Sequence, residues 1–182
     1  VVYSTFSRGS HGELREEIER LRRRGAEGLI LDLRGNGGGL LNEAVLSASL
    51  FVKEGTIVIT RSRSRGEQVY EAVGDALPQQ PTVVLINRDT ASSAEILASA
   101  MAEHDVAELV GTRTFGKFTF QEVIQLPAGG ALDLTVGEYL TASGASLASK
   151  GVRPDVRVAD NPRTRRDEAL ATAVRELRAA LR

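Results

Sequence analysis

Apolar residues recur along this chain at two spacings. Leu14, Ile18 and Leu21 follow Ser10-His11-Gly12-Glu13 three to four residues apart, which predicts an amphipathic helix opened by a capping box and stopped at Gly25. Leu29-Ile30-Leu31-Asp32-Leu33 is a short, largely apolar run between Gly28 and Gly35, as expected of a strand covered on both faces and central in a sheet. A helix over 41–52 comes next, then strands over 56–60 and 68–73 joined by the basic turn Arg61-Ser62-Arg63-Ser64-Arg65-Gly66. Thr82-Val83-Val84-Leu85-Ile86-Asn87 reads as another buried strand, 91–104 as a helix and 107–110 as a short strand ending at Gly111, so the order is alternating β and α. Beyond Gln121 the pattern becomes strand-rich: 121–126 and 131–140 flank Pro127-Ala128-Gly129-Gly130, a hairpin signal. Ala169, Ala173, Val174, Leu177 and Leu181 predict a closing helix. There is no internal repeat or low-complexity linker, so the chain divides only into a core over 1–160 and a helical extension of the same domain over 161–182.

Composition narrows the function classes. At 182 residues and 42% hydrophobic content, one globular domain with a full core is expected. A formal charge of -1 gives no electrostatic reason to invoke nucleic acid or an anionic membrane surface. Without cysteine there is no disulfide framework or thiolate metal site. No run approaches the length of a membrane helix, and no charged-then-apolar leader opens the chain. A start at Val1 rather than Met is what a processed or excised domain would show.

Candidate chemistry lies between Thr90 and Gln121. Thr90-Ala91-Ser92-Ser93-Ala94-Glu95-Ile96 opens a helix with hydroxyls, and Thr114-Phe115-Gly116-Lys117-Phe118-Thr119-Phe120-Gln121 follows. A serine nucleophile needs a neighbouring base, usually histidine. Neither histidine suits: His104 is twelve residues beyond Ser92 on the same predicted helix, about 18 Å along its axis, and His11 sits in the first turn of another. Lysine can substitute where burial keeps its amine neutral, and Phe115 and Phe118 flank Lys117. Taken singly, Ser92 is better read as a helix N-cap and Lys117 as a surface lysine in a turn. The glycine loop Asp32-Leu33-Arg34-Gly35-Asn36-Gly37-Gly38-Gly39 shifts that balance, because glycines ahead of a helix bring backbone N–H groups close to an anion or oxyanion. It is not a dinucleotide fingerprint, since Leu40 stands where the third glycine belongs. Gly111 to Lys117 is not a phosphate loop either, since Phe118 replaces the metal-binding hydroxyl.

Four ordered blocks, Gly28 to Gly39, Asn87 to Ile96, Val110 to Lys117 and Lys150 to Asp155, make the chain resemble the carboxy-terminal processing or tail-specific proteases. The resemblance implies an α/β fold of the crotonase and Clp protease type. It implies a serine endopeptidase without metal or cofactor, with Ser92 as nucleophile, Lys117 as base 25 residues later and Gln121 orienting the lysine. On a strand, Lys117, Thr119 and Gln121 would share one side. The backbone N–H of Ser93 and that of Gly39, with Gly38 as fallback, would form the oxyanion hole. Polypeptides with apolar C-termini would be the substrates and the cell envelope the location; a homo-oligomer is compatible. The chain departs from the family pattern at Ser93, where alanine is usual, and at Phe118, where glycine is usual, and nothing in it is long enough to encode the family's PDZ domain. Phe118 is expected to wall the substrate cleft. Were its ring to block the site instead, the chain would be a relative of the same fold that binds peptides or apolar ligands without turnover. A third, weaker class is a crotonase-like acyl-CoA enzyme.

Overall fold

The computed structural model describes residues 1–161 and 163–182; Pro162, inside the expected extension, lies outside the described residues. In chain order the elements are α1 (Ser10–Arg23), β1 (Leu29–Asp32), α2 (Leu41–Ser49), β2 (Thr56–Ser62), β3 (Gly66–Glu71) and β4 (Thr82–Ile86). They continue with α3 (Ser93–Glu103), β5 (Glu108–Gly111), β6 (Thr119–Gln125), β7 (Ala131–Leu140), β8 (Val156–Arg157) and α4 (Glu168–Ala180). Two four-stranded sheets result: a parallel one in the order β1-β4-β5-β8, and an antiparallel one in the order β3-β2-β7-β6.

Strand β4 shows how the middle of the parallel sheet is covered on both faces. Its residues are all buried, and their side chains alternate: Val84 and Ile86 enter the large core with α1, α2 and α3, whereas Val83 and Leu85 meet Ala169 and Ala173 of α4. Leu29 and Leu31 of β1 face the same large core, with Ile30 turned to the α4 side. The closing helix therefore packs on one face of the sheet, over β1, β4 and β5.

Two local expectations are corrected. Strand β1 is outermost rather than central; an apolar run reports covered faces, not neighbours. Its free edge is met by the N-terminal residues, with Asp32 N–H donating to Val1 O (2.8 Å) and Tyr3 N–H to Asp32 O (3.0 Å). At α1, Ser10 is not the cap. Gly9, in the left-handed region at φ 85°, precedes the helix, and the hydroxyl of Ser10 hydrogen-bonds Tyr3 Oη at 2.8 Å. The orphan N–H groups instead find Glu43 of α2, whose carboxylate accepts from Gly9 N–H (2.8 Å) and His11 N–H (3.1 Å) and lies 2.7 Å from His11 Nδ1. Burial by itself would raise the pKa of Glu43, but these hydrogen bonds together hold it below the ordinary carboxylate value.

Arg34, in the glycine loop, ties α4 to the sheet. Its guanidinium contacts Asp32 (2.7 Å) and both oxygens of Asp167 (2.9 Å each), and Asp167 also caps α4 by accepting from Leu170 N–H at 2.7 Å. The Arg34 hydrogen bonds are the main reason the Asp167 pKa is lowered. A depressed folded-state pKa contributes stability above the ordinary aspartate value and loses it as pH falls through the folded one. The melting temperature should therefore drop between about pH 5 and pH 2. Asp167→Asn should lower the melting temperature at pH 7 and flatten this acid dependence; an unchanged acid dependence in Asp167→Asn would show that the Arg34 pairing does not carry it.

Candidate active site

The helix opened by the serine cluster begins at Ser93, two residues later than its periodicity predicts. Ser92 is left as the N-cap, with φ 55° and ψ −122°. Such a backbone is strongly disfavoured for a residue with a side chain and costs about 1–3 kcal/mol unless its surroundings hold it. Several contacts do so. Ala91 N–H donates to Asn36 O (2.9 Å), Thr90 Oγ1 donates to Leu33 O (2.8 Å), and Ser92 N–H donates to Glu95 Oε2 (2.9 Å) in a capping box. The N-cap reading of Ser92 is thus part of the picture rather than a rival to it.

Glu95 is the hub, and its role was missed in the sequence. It is fully buried, and its two oxygens accept from Ser92 N–H (2.9 Å), Lys117 N–H (2.9 Å), Gly116 N–H (2.7 Å) and Thr114 Oγ1 (2.5 Å). Ser92 and Lys117 share the same oxygen, so their backbone nitrogens are no farther apart than two hydrogen bonds. An acidic residue three positions past a helix-opening serine is the available signal, since that is the capping-box spacing. What it could not reveal is that the same carboxylate reaches a loop more than twenty residues away.

The glycine loop packs directly on the serine. A Cβ on Gly38 would lie 2.8 Å from Ser92 Cβ and 2.9 Å from Ser93 N, and one on Gly39 would lie 2.4 Å from Phe6 O, so neither position admits a side chain. Buried Asn36 shapes this loop: its Nδ2 donates to Tyr3 O (2.6 Å) and its Oδ1 accepts from Gly38 N–H (2.8 Å). Gly38 N–H is therefore spent internally. Among the described residues the N–H groups of Gly39 and Ser93 have no protein acceptor, while Ser93 Oγ donates to Gly39 O at 2.9 Å and fixes the peptide beyond it. The hydroxyl where the resembled family has alanine is thus a strut between α3 and the loop.

Three expectations about the lysine segment are corrected. Phe118 does not wall a cleft: its ring is 1% exposed and belongs to the main core. Phe115 is 67% exposed, so the two phenylalanines do not enclose Lys117, which is itself exposed. Strand β6 starts at Thr119, beyond the lysine, and its pairing with β7 shifts between Phe120 and Gln121, so strand alternation does not align Lys117 with Gln121. Gln121 is exposed and its Nε2 lies 3.4 Å from Thr135 Oγ1. Among the described residues no hydrogen bond joins Lys117 Nζ to Ser92 or to Gln121, and no cluster of three or more acidic or histidine side chains suited to a metal occurs.

The family model for peptidase family S41 matches residues 1–158. The chain belongs to this family. Among S41 relatives, it is 39% identical over 158 residues to the carboxy-terminal processing protease CtpA of Bacillus subtilis, covering 86% of this chain and 34% of that protein. It is 40% identical over 152 residues to the carboxyl-terminal-processing protease of Synechocystis, covering 84% and 36%. The solved photosystem II D1 C-terminal processing protease superposes with a TM-score of 0.82 at 34% identity, covering 94% of this chain and 45% of that one. The chain thus spans about a third of the length of the curated relatives it matches. The α/β fold expected from the alternating pattern is the fold of these S41 proteins. No helix among the described residues is long and apolar enough to cross a membrane.

Proposed function

We propose that the chain is the catalytic core of a serine endopeptidase that cuts polypeptides near apolar C-terminal tails on the extracytoplasmic side. The observation that carries this reading is the shared Glu95 oxygen, which brings the backbone of a strained serine beside that of a lysine. Ser92 Oγ attacks the scissile carbonyl carbon as its proton passes to neutral Lys117 Nζ. The tetrahedral oxyanion is received by the two free N–H groups, Gly39 and Ser93. The C–N bond then breaks, the lysine returns the proton to the leaving amine, and water hydrolyses the acyl-serine by the same steps. Gln121 takes up its orienting role only when its carboxamide leaves Thr135, and Lys117 loses water only when substrate covers it.

Burial of the Phe118 ring in the core supports this reading over a binding-only relative whose site the ring would block. A fluorophosphonate probe should label Ser92, located by mass spectrometry, and label no other serine. Lys117→Arg should be inactive, because guanidinium stays protonated. Labelling at another residue, or turnover that survives in Lys117→Arg, would overturn the Ser92–Lys117 assignment.

A further inference from the structure

Each of the two sheets has two edges, and a strand edge left bare is a template for another chain. Three of these edges are guarded. Val1 to Tyr3 hydrogen-bond the edge of β1, and β8 is only two residues long. Strand β3 ends in Glu71 beside the bulge that shifts its pairing with β2 between Thr56 and Val58, and charge and bulge both blunt an edge. The fourth edge is β6, outermost beside β7. It carries no lysine or proline, and its one charge, Glu122, is neutralised by Arg65 at 3.1 Å. Val123 is 65% exposed.

The hairpin fixes which groups β6 turns outward. Leu126 N–H donates to Gly130 O (3.0 Å), so the hydrogen-bonded positions, which alternate along an antiparallel ladder, continue at Ile124 and Glu122. Gln121, Val123 and Gln125 therefore point their N–H and C=O groups away from β7. Among the described residues those N–H groups donate to nothing outside the β6–β7 pair.

We propose that β6 is the seam of a homodimer, pairing antiparallel with β6 of a second copy about a two-fold axis through Val123. This register sets Val123 against Val123 of the partner subunit, Gln121 against Gln125 of the partner subunit, and Phe120 against Leu126 of the partner subunit. Outward backbone groups then meet outward backbone groups. Apolar side chains and amides meet their like, and Glu122 faces Ile124 of the partner subunit, so no like charges stand opposite. Other registers fail. Centring on Glu122 or Ile124 would need backbone groups already spent on β7. Centring on Gln125 would set Val123 against Pro127 of the partner subunit, which has no N–H to give. Centring on Gln121 would run back past Thr119, where the strand starts. The proposal stands independently of the peptidase reading.

The chain has no cysteine, so a single introduced one reports the seam. Val123→Cys should form a disulfide-linked dimer under mild oxidation, because hydrogen-bonded antiparallel partners lie about 5.5 Å apart at Cα, within the span of a disulfide. Asp133→Cys, opposite Val123 on β7, should not, since its mate would lie three strand spacings away, about 14 Å. Sedimentation velocity of the unmodified protein from about 5 to 500 µM should show a reversible equilibrium of monomer and dimer, weak as expected of a contact below about 1,200 Å². Val123→Lys should raise the dissociation constant roughly tenfold by setting two ammonium groups face to face. Its monomer should melt at the same temperature, because the side chain is exposed. Sedimentation as a monomer at every concentration, equal cross-linking of the two cysteine variants, absence of cross-linking in Val123→Cys, or an unchanged dissociation constant in Val123→Lys would each overturn the proposal.

Discussion

Ser92→Gly is expected to abolish fluorophosphonate labelling and, at the same time, to raise the melting temperature by roughly 3 °C. The loss of activity follows from removing the attacking hydroxyl and should reach roughly a million-fold in turnover. The gain in stability follows from the backbone. At φ 55° and ψ −122° a side chain is held against steric preference, and glycine relieves about 1–3 kcal/mol of strain while giving up a few tenths as an N-cap and about 0.5–1 kcal/mol in chain entropy. Ser92→Ala should lose labelling equally without that gain, since alanine keeps the Cβ. Ser93→Ala is a graded control. Its hydroxyl holds Gly39 O at 2.9 Å, so labelling at Ser92 should persist but slow. Differential scanning calorimetry and labelling rates measure both halves, and a lower melting temperature for Ser92→Gly would mean that the conformation is unstrained in solution.

Glu95→Ala should be the most damaging substitution that leaves the reacting side chains untouched. Removing this carboxylate strands four donors, the N–H groups of Ser92, Gly116 and Lys117 and the hydroxyl of Thr114. The expected cost is about 3–5 kcal/mol, equivalent to roughly 10 °C in melting temperature. Labelling of Ser92, measured well below the melting point, should fall roughly a hundredfold, because small displacements of reacting groups have effects of that size. Glu95→Gln should lie between the two proteins, since one oxygen and the shape survive but an amide NH2 confronts N–H donors. If Glu95→Ala proved less stable yet labelled at the wild-type rate, the carboxylate would be a structural brace without influence on the site.

Much of this protein was legible in its residues. Periodicity located every helix and seven of the eight strands within a few residues, because burying one helical stripe or one pleated face leaves a mark at each position that points inward. The unseen strand, Val156–Arg157, is too short for a period to register. The four blocks also gave the family, since ordered motifs at fixed spacing survive where the rest of a sequence changes. Other features depend on contacts between distant segments. Glu43 rather than Glu13 caps α1, and Val1 to Tyr3 make β1 an outer strand with a covered edge. Phe118 turns inward, leaving Lys117 exposed, because side-chain direction at the entrance to β6 follows from how the antiparallel sheet meets the core. Gly39 rather than Gly38 keeps a free N–H because Asn36 consumes the other. By itself the sequence determined the elements, the family and the candidate chemistry, all of which are written in local pattern. Only the tertiary structure decided which groups meet and which donors stay free, because a hydrogen bond across twenty or more residues has no signature until the chain has folded.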